Sequence, residues 1–363
     1  MIGCGSGFQV GVEGGEAVIR GAFLTPSGVP PAPRVSHTAA FSPRSNRMII
    51  YGGAADSRPL DDLHVLTDAA GLRRNLTWIN LPVAGASPPE RADHTAVYDP
   101  GTDRMIVFGG RDPAGLTSYG DVWLLLNSSG IGDLAWVRLT TEEGGPEPRA
   151  EHSAVYDAGS NRMVVFGGVD GDGTPLRDVW VLNAANGTGD RARWFRLEPA
   201  GVGPQAYSGH SAIYDADTKR MTVFGGSAGA GGFLDDLWVL KNADATTGPP
   251  TWERLEPAND GPVPRARHTA VYAPASNRMI VFGGFGGSGA LNDVWILDGA
   301  NGATGTPRWL QLGVGGQAPD PRGAHSAIYI PQTNRMIIFG GAHRPGGDPL
   351  ADMWVLIHAD GIA

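Results

Sequence analysis

HTAVYDPGTDRMIVFGG, residues 94–110, returns as HSAVYDAGSNRMVVFGG at 152–168, HSAIYDADTKRMTVFGG at 210–226 and HTAVYAPASNRMIVFGG at 268–284. Looser copies stand at 37–53 (HTAAFSPRSNRMIIYGG) and 325–341 (HSAIYIPQTNRMIIFGG). The leading histidines, at 37, 94, 152, 210, 268 and 325, are 57 or 58 residues apart. So constant a period marks one structural unit repeated six times.

Each unit reads as four strands. His-[TS]-Ala-[VIA]-[YF] alternates small and large side chains, and Arg-Met-[IVT]-[IV]-[FY] is a β-branched run closed by a glycine pair. The third strand is Asp-[VLM]-[WH]-[VIL]-Leu, as in Asp121–Leu125 and Asp293–Leu297. The fourth is Trp-x-x-Leu, as in Trp136–Leu139, Trp194–Leu197 and Trp252–Leu255. Turn formers (Asp, Gly, Pro, Asn, Ser) join the first two strands, and a Pro-rich connector leads to the next histidine. Composition agrees. Gly 55 and Pro 28 are high for a chain that is 41% hydrophobic and 18% charged, which fits many short strands joined by turns and excludes a helical bundle or coiled coil. A four-stranded antiparallel sheet repeated radially is a propeller blade.

The glycine doublet after strand two, the aromatic in strand three, the strand-four Trp and the Arg-x-x-His lead-in resemble the kelch repeat. The resemblance covers residues 33–356 and implies an all-β fold, a six-bladed β-propeller. The chain ends at Asp352-Met-Trp-Val-Leu356 plus seven residues, so the sixth unit shows no fourth strand of its own. In complete connectors the Trp lies 13 residues before the Arg, and counting 13 back from Arg34 lands on Gly21. Residues 17–24 are therefore expected to supply the outer strand of blade six, after an N-terminal extension of residues 1–16. The whole of 1–363 reads as one domain.

The repeated polar residues define the candidate site. Arg34, Arg91, Arg149, Arg265 and Arg322 precede strand one, with Tyr207 in the arginine's place in the fourth unit. Asp62, Asp121, Asp178, Asp236, Asp293 and Asp352 open strand three. Chain direction places these arginines, the histidines, the glycine pair and the aspartates at one edge of each blade. The pairs are expected either to neutralise one another, as buried charges must, or to line a mouth that attracts an anion. With six aspartates to five arginines, Asp236 is left without a match. The strand 2–3 loops on the same face add Arg111, Tyr119, Arg177, His343 and Arg344, and variable loops on a rigid scaffold are where binding residues concentrate.

The six histidines could form a metal ring. One per blade argues instead for a structural role, each histidine facing a neighbouring sheet near the glycine turn and hydrogen-bonded inside its own or the adjacent blade, with no metal. The second arginine of each unit (Arg47, Arg104, Arg162, Arg220, Arg278, Arg335) is expected to cap its own turn or pack along the preceding strand. Asp170-Gly171-Asp172-Gly173 resembles a calcium loop only weakly.

No nucleophile elbow, phosphate loop, zinc-protease or dinucleotide motif is present, and no cofactor is expected. Cys4 is the only cysteine, which excludes an intrachain disulfide, and it precedes the first strand, away from any Cys–Tyr copper chemistry of the kind some kelch-like propellers use. Net charge −9 argues against nucleic acid, and no apolar run is long enough for a membrane span. The N-terminal MIGCGSGFQV lacks a secretory pattern, and the compartment stays open. The expected function is a monomeric binding or interaction module whose partner is a protein, a peptide or a small polar or acidic ligand. The alternative is an enzyme at the same mouth, similar to the sugar isomerases or lyases among kelch-like propellers.

Overall fold

The computed structural model describes residues 12–13, 16–56, 58–71, 75–83, 85–112, 114–115, 117–142, 144–229 and 232–362, so Cys4 lies outside the described residues. Among them there is no α-helix, only strands and two short 3-10 turns at Pro274–Ser276 and Pro331–Thr333. In the second repeat Thr95–Asp99, Arg104–Phe108, Val122–Leu126 and Ala135–Arg138 pair antiparallel in chain order. The third and fourth repeats form four-stranded sheets of the same order.

After their opening arginine the second strands are almost wholly apolar rather than alternating, and Met105, Ile106, Val107 and Phe108 are all buried. A strand covered on both faces loses the polar side of the alternation, so each sheet must be packed between two others. The innermost strands, from Thr38–Ser42 to Ser326–Ile330, contact one another in sequence, and the last also touches the first. This is a β-propeller arrangement. Its core is not central but layered between adjacent sheets: Tyr51, Val65, Met105, Val107 and Trp136 form one such layer, and Met48, Trp78, Ile337 and Phe339 another.

The glycine pair follows from that packing. At Gly109 (φ +66°) an added Cβ would lie 2.8 Å from the His152 ring of the next sheet, and at Gly110 (φ +92°) 2.7 Å from Cβ of His94 in its own. The first glycine admits the neighbour's imidazole, the second the repeat's own lead-in.

Glu16–Leu24 pairs antiparallel with Met353–Ile357 and, along Val18–Gly21, parallel with Gly313–Gly316. Gly21 stands opposite Leu356 as Trp136 stands opposite Leu125. A side chain there has no room, because a Cβ on Gly21 would lie 2.2 Å from the Gln317 carbonyl oxygen. Ile19 enters the corresponding core layer instead.

Two departures from the repeat have physical consequences. Tyr51 occupies the place of Phe108, Phe166, Phe224, Phe282 and Phe339, and its buried hydroxyl has no hydrogen-bond partner among the described residues. Lys219 occupies the left-handed turn position held elsewhere by Asn46, Asp103, Asn161, Asn277 and Asn334. The reason lies in the adjacent sheet. Asp99 and Asp215 are met by the amides of Asn186 and Asn301, but Asp157 faces Asp244, and Lys219 Nζ lies between them at 2.5 and 3.9 Å.

Tyr51→Phe is expected to stabilise the fold by about 1 kcal/mol, since a buried unpaired hydroxyl costs more than it returns; a loss of stability in denaturant unfolding would contradict this. Lys219→Asn is expected to destabilise by roughly 1–3 kcal/mol, less than a fully buried pair would because the lysine is partly exposed. Adding Asp244→Asn should restore most of that loss, and a double-mutant cycle showing no coupling would remove the explanation.

Candidate functional site

The connector arginines lie beneath the face rather than on it. Arg91 donates from Nε to Pro89 O (3.0 Å) and from Nη1 to Gly109 O (2.9 Å), and its fork grips Asp121 at 2.8 and 3.1 Å. Asp121 also accepts from Trp123 Nε1 at 2.7 Å. Arg34–Asp62, Arg149–Asp178, Arg265–Asp293 and Arg322–Asp352 repeat the bidentate grip, and all five arginines are wholly buried. Burial raises the Asp121, Asp178 and Asp352 carboxyls, but the arginine hydrogen bonds and charge outweigh it and hold them below the ordinary range. An arginine so neutralised gives the mouth no free positive potential.

Both exceptions in sequence keep the same connection. His64 Nε2 takes the tryptophan's place on Asp62 at 2.8 Å. Tyr207 Oη donates to Asp236 Oδ2 at 2.7 Å, and Arg254 Nη2 reaches Oδ1 at 3.0 Å. Asp236, expected without a match, therefore has two partners. It lines a cavity of about 630 Å3 with Arg254, Glu256, Asp260 and Trp309, which shares no residue with the cavities at the mouth.

The histidines bond in the adjacent sheet, one of the two expected places, and so tie sheet to sheet. His94 Nε2 shares a hydrogen bond with Thr38 (2.9 Å), His152 with Thr95 (2.8 Å) and His210 with Ser153 (2.9 Å). His268 does so with Ser211, His325 with Thr269, and His37 with Ser326. The second arginines also reach across instead of capping their own turns: Arg47 to Ser129 O (2.7 Å), Arg278 to Asp360 O (2.8 Å) and Arg335 to Ala70 O (2.7 Å). Among the described residues no group of three or more His, Cys, Asp or Glu could hold a metal ion.

The mouth itself is built on a backbone ring. The residue before each motif histidine (Ser36, Asp93, Glu151, Gly209, Arg267, Ala324) has positive φ, between 54° and 62°. Each N–H donates to the carbonyl of the one before it, at 2.7–3.0 Å, and Ser36 closes the circle on Ala324. Side chains from this ring meet over the axis. Arg267 Nη1 bonds Asp93 Oδ1 (3.1 Å) and Nη2 bonds Glu151 Oε1 (2.5 Å). Arg111, from a strand 2–3 loop, bonds Asp93 Oδ2 (2.9 Å) and the same Glu151 oxygen (2.5 Å). Burial would raise the Asp93 carboxyl, but Arg267 and Arg111 together lower it, so it stays ionised.

A cavity of about 520 Å3 opens there, lined by Asp93, Arg111, Arg267, Asp56 and Asp348. A smaller one of about 230 Å3 adjoins it through Val35, Arg267, Gly346 and Gly347 and adds Phe285 and Arg344. Of the loop candidates, the structure thus brings Arg111 and Arg344 to the mouth. Tyr119 lies under the Arg91 guanidinium, 4.5 Å from it. His343 holds Pro321 O at 2.8 Å, and exposed Arg177 lines neither cavity. Sequence reading passed over Asp93, Glu151 and Arg267. Their signal was present, for this position differs in all six repeats while the His after it recurs in all six and the Arg before it in five.

The buried histidines carry a pH consequence. Burial drives His94, His210 and His325 from the ordinary 6.5 to about 3, and lowers His37, His152 and His268 too. Below the ordinary value the unfolded chain binds protons that the folded one refuses, so stability is complete above 6.5 and is lost as pH falls toward 3. The melting temperature should therefore begin to fall between about pH 6.5 and 5, ahead of carboxylate protonation. A melting temperature flat to about pH 4.5 would show that these rings are not held neutral.

Comparisons with known proteins speak to the repeat and the fold. A family model for the KLHDC2/KLHL20/DRC7 kelch-repeats domain matches residues 22–129, 70–191, 126–251 and 188–360. Adagio-like protein 3 of Oryza sativa subsp. japonica is 32% identical over 302 residues, covering 82% of this chain and 44% of that protein. Host cell factor 2 of Homo sapiens is 31% identical over 271 residues, 70% of this chain and 31% of that protein. The chain thus spans less than half the length of these relatives. A solved structure titled "Structure of YjhT" superposes with a TM-score of 0.63 at 18% identity, covering 89% of this chain and 95% of that one, which speaks to fold alone. With its repeats in phase, its sheets radially packed and its sequence matched along nearly the whole length, the chain belongs to the kelch-repeat β-propeller family.

Proposed function

We propose that this chain is a monomeric six-bladed kelch propeller, closed by Glu16–Leu24 as the outer strand of its last blade, and that it works as a binding or interaction module. The closure reading is supported by the pairing with Met353–Ile357 and by the cyclic contact of the inner strands. A protein, a peptide or a small polar or acidic ligand docks on the connector face. The observation that carries this reading is a contrast between two layers. Below, Arg34, Arg91, Arg149, Arg265 and Arg322, with Tyr207 on Asp236 standing in for the sixth, hold the connectors in one repeated geometry. Above, the axial side chains and loops differ in every repeat around two adjoining cavities. A preformed concavity with a few convergent polar groups is the usual form of a ligand site.

In this reading Asp93, Glu151, Arg267 and Arg111 form the centre and Arg344 the rim, while Tyr119, Arg177 and His343, which line neither cavity, stay in the surrounding loops. Asp93 stays ionised and so offers charge rather than a proton, which favours recognition over acid catalysis.

Calorimetric titration with citrate, glucuronate and a tetraglutamate peptide tests the assignment. Whichever binds should weaken by about tenfold with Arg344→Glu and be unchanged by Arg44→Glu, which lies in the first turn at the opposite edge. Binding that follows Arg44 and ignores Arg344 would place the site on the other face.

A further inference from the structure

The central cluster holds two arginines of a different kind from the buried five. Arg111 and Arg267 keep 29% and 28% of their side-chain surface exposed, and both line the 520 Å3 cavity. They come from opposite sides of the axis, one from the loop of the second repeat and the other from the ring position of the fifth, yet they converge on the same partners. Asp93 bridges them, accepting from Arg111 Nε and Nη2 at 3.1 and 2.9 Å and from Arg267 Nη1 at 3.1 Å. Glu151 Oε1 accepts from both Nη2 atoms, and Ser36 Oγ accepts from Arg267 Nη1. Two guanidiniums aimed at one point are the geometry by which proteins grip a carboxylate. Here that point is filled by the protein's own aspartate.

We propose that Asp93 is a built-in competitor, a side chain that occupies the carboxylate-binding position of the Arg111–Arg267 pair and yields it to the carboxylate of an incoming ligand. The proposal rests on the reading of this mouth as the binding site. Its physical content is mass action. Asp93 and Glu151 already pair both arginines, and Asp56 and Asp348 add negative charge to the same cavity, so a ligand carboxylate gains attraction only where an internal carboxylate leaves the arginine pair. Asp93 is the one that lines the cavity, whereas Glu151 lines neither cavity and holds the arginines from elsewhere. The ring hydrogen bonds of residue 93 are made by its backbone (Asp93 N to Ser36 O, Glu151 N to Asp93 O), so its side chain is free to turn without opening the ring.

Asp93→Asn is a clean test, because asparagine keeps the shape and accepts the left-handed backbone that residue 93 adopts (φ 55°). In titrations at low ionic strength, Asp93→Asn should bind citrate or the tetraglutamate peptide at least about tenfold more tightly than the parent, and Asp93→Asn with Arg267→Ala should lose the gain. Inorganic phosphate and sulfate run in parallel; a gain for these that equals the gain for carboxylates would overturn the carboxylate assignment. Glu151→Gln serves as a second release of the same pair should Asp93→Asn melt early. If either variant binds no better than the parent while Arg344→Glu still weakens binding, the competitor is refuted and the mouth stands. If no carboxylate binds to parent or variants, both fall.

Discussion

A guanidinium sealed from water must find an acceptor for its donors and an anion for its charge, and the connector arginine finds these within one small volume. The carboxylate just before strand three neutralises it, the carbonyl of the first glycine takes another donor, and a connector carbonyl two residues upstream takes Nε. Three separate pieces of chain, the connector, the end of strand two and the start of strand three, are thereby fixed to one rigid planar group. Such a pair contributes little net stability compared with an apolar replacement, but removing either member leaves a buried charge. Its value is positional. The ring of left-handed residues, the entry angle of strand one and the base of the mouth all start from where this group sits.

The departures from the rule show how it is maintained. Where histidine replaces the strand-three tryptophan, Nε2 supplies the same donor to Asp62. Where tyrosine replaces the connector arginine, its hydroxyl supplies the hydrogen bond and Arg254 supplies the charge from the outer strand. At Lys219 a cation appears because the adjacent sheet brings two carboxylates together. In each case the donor or charge that the site requires is kept while the residue that supplies it changes.

The strands and the four-stranded sheets of the second, third and fourth repeats were legible because apolar period, turn residues and the constant spacing all point the same way. The roles of individual polar groups were less so, for a reason inherent in repetition. With a period of 57–58 residues, a side chain that bonds its own blade and one that bonds the next leave the same sequence pattern. The histidines, which reach a hydroxyl on the adjoining innermost strand, and the second arginines, which reach a neighbour's loop carbonyl, are of the second kind. The mouth was obscured differently. Reading for recurrence draws attention to Arg and His, while Asp93, Glu151 and Arg267 are informative because their position does not recur.

The ring of backbone hydrogen bonds at the mouth separates shape from chemistry. Each left-handed residue satisfies its neighbours through its own N–H and C=O, so the diameter of the opening owes nothing to what the side chain is. A serine, an aspartate, a glutamate, a glycine, an arginine and an alanine already occupy equivalent places without altering it. None of the six is β-branched, the type for which left-handed backbone is most strained. The opening therefore behaves as a fixed socket plate with interchangeable pins, in which single substitutions at separate places change the charge and shape on offer while the frame that presents them stays the same.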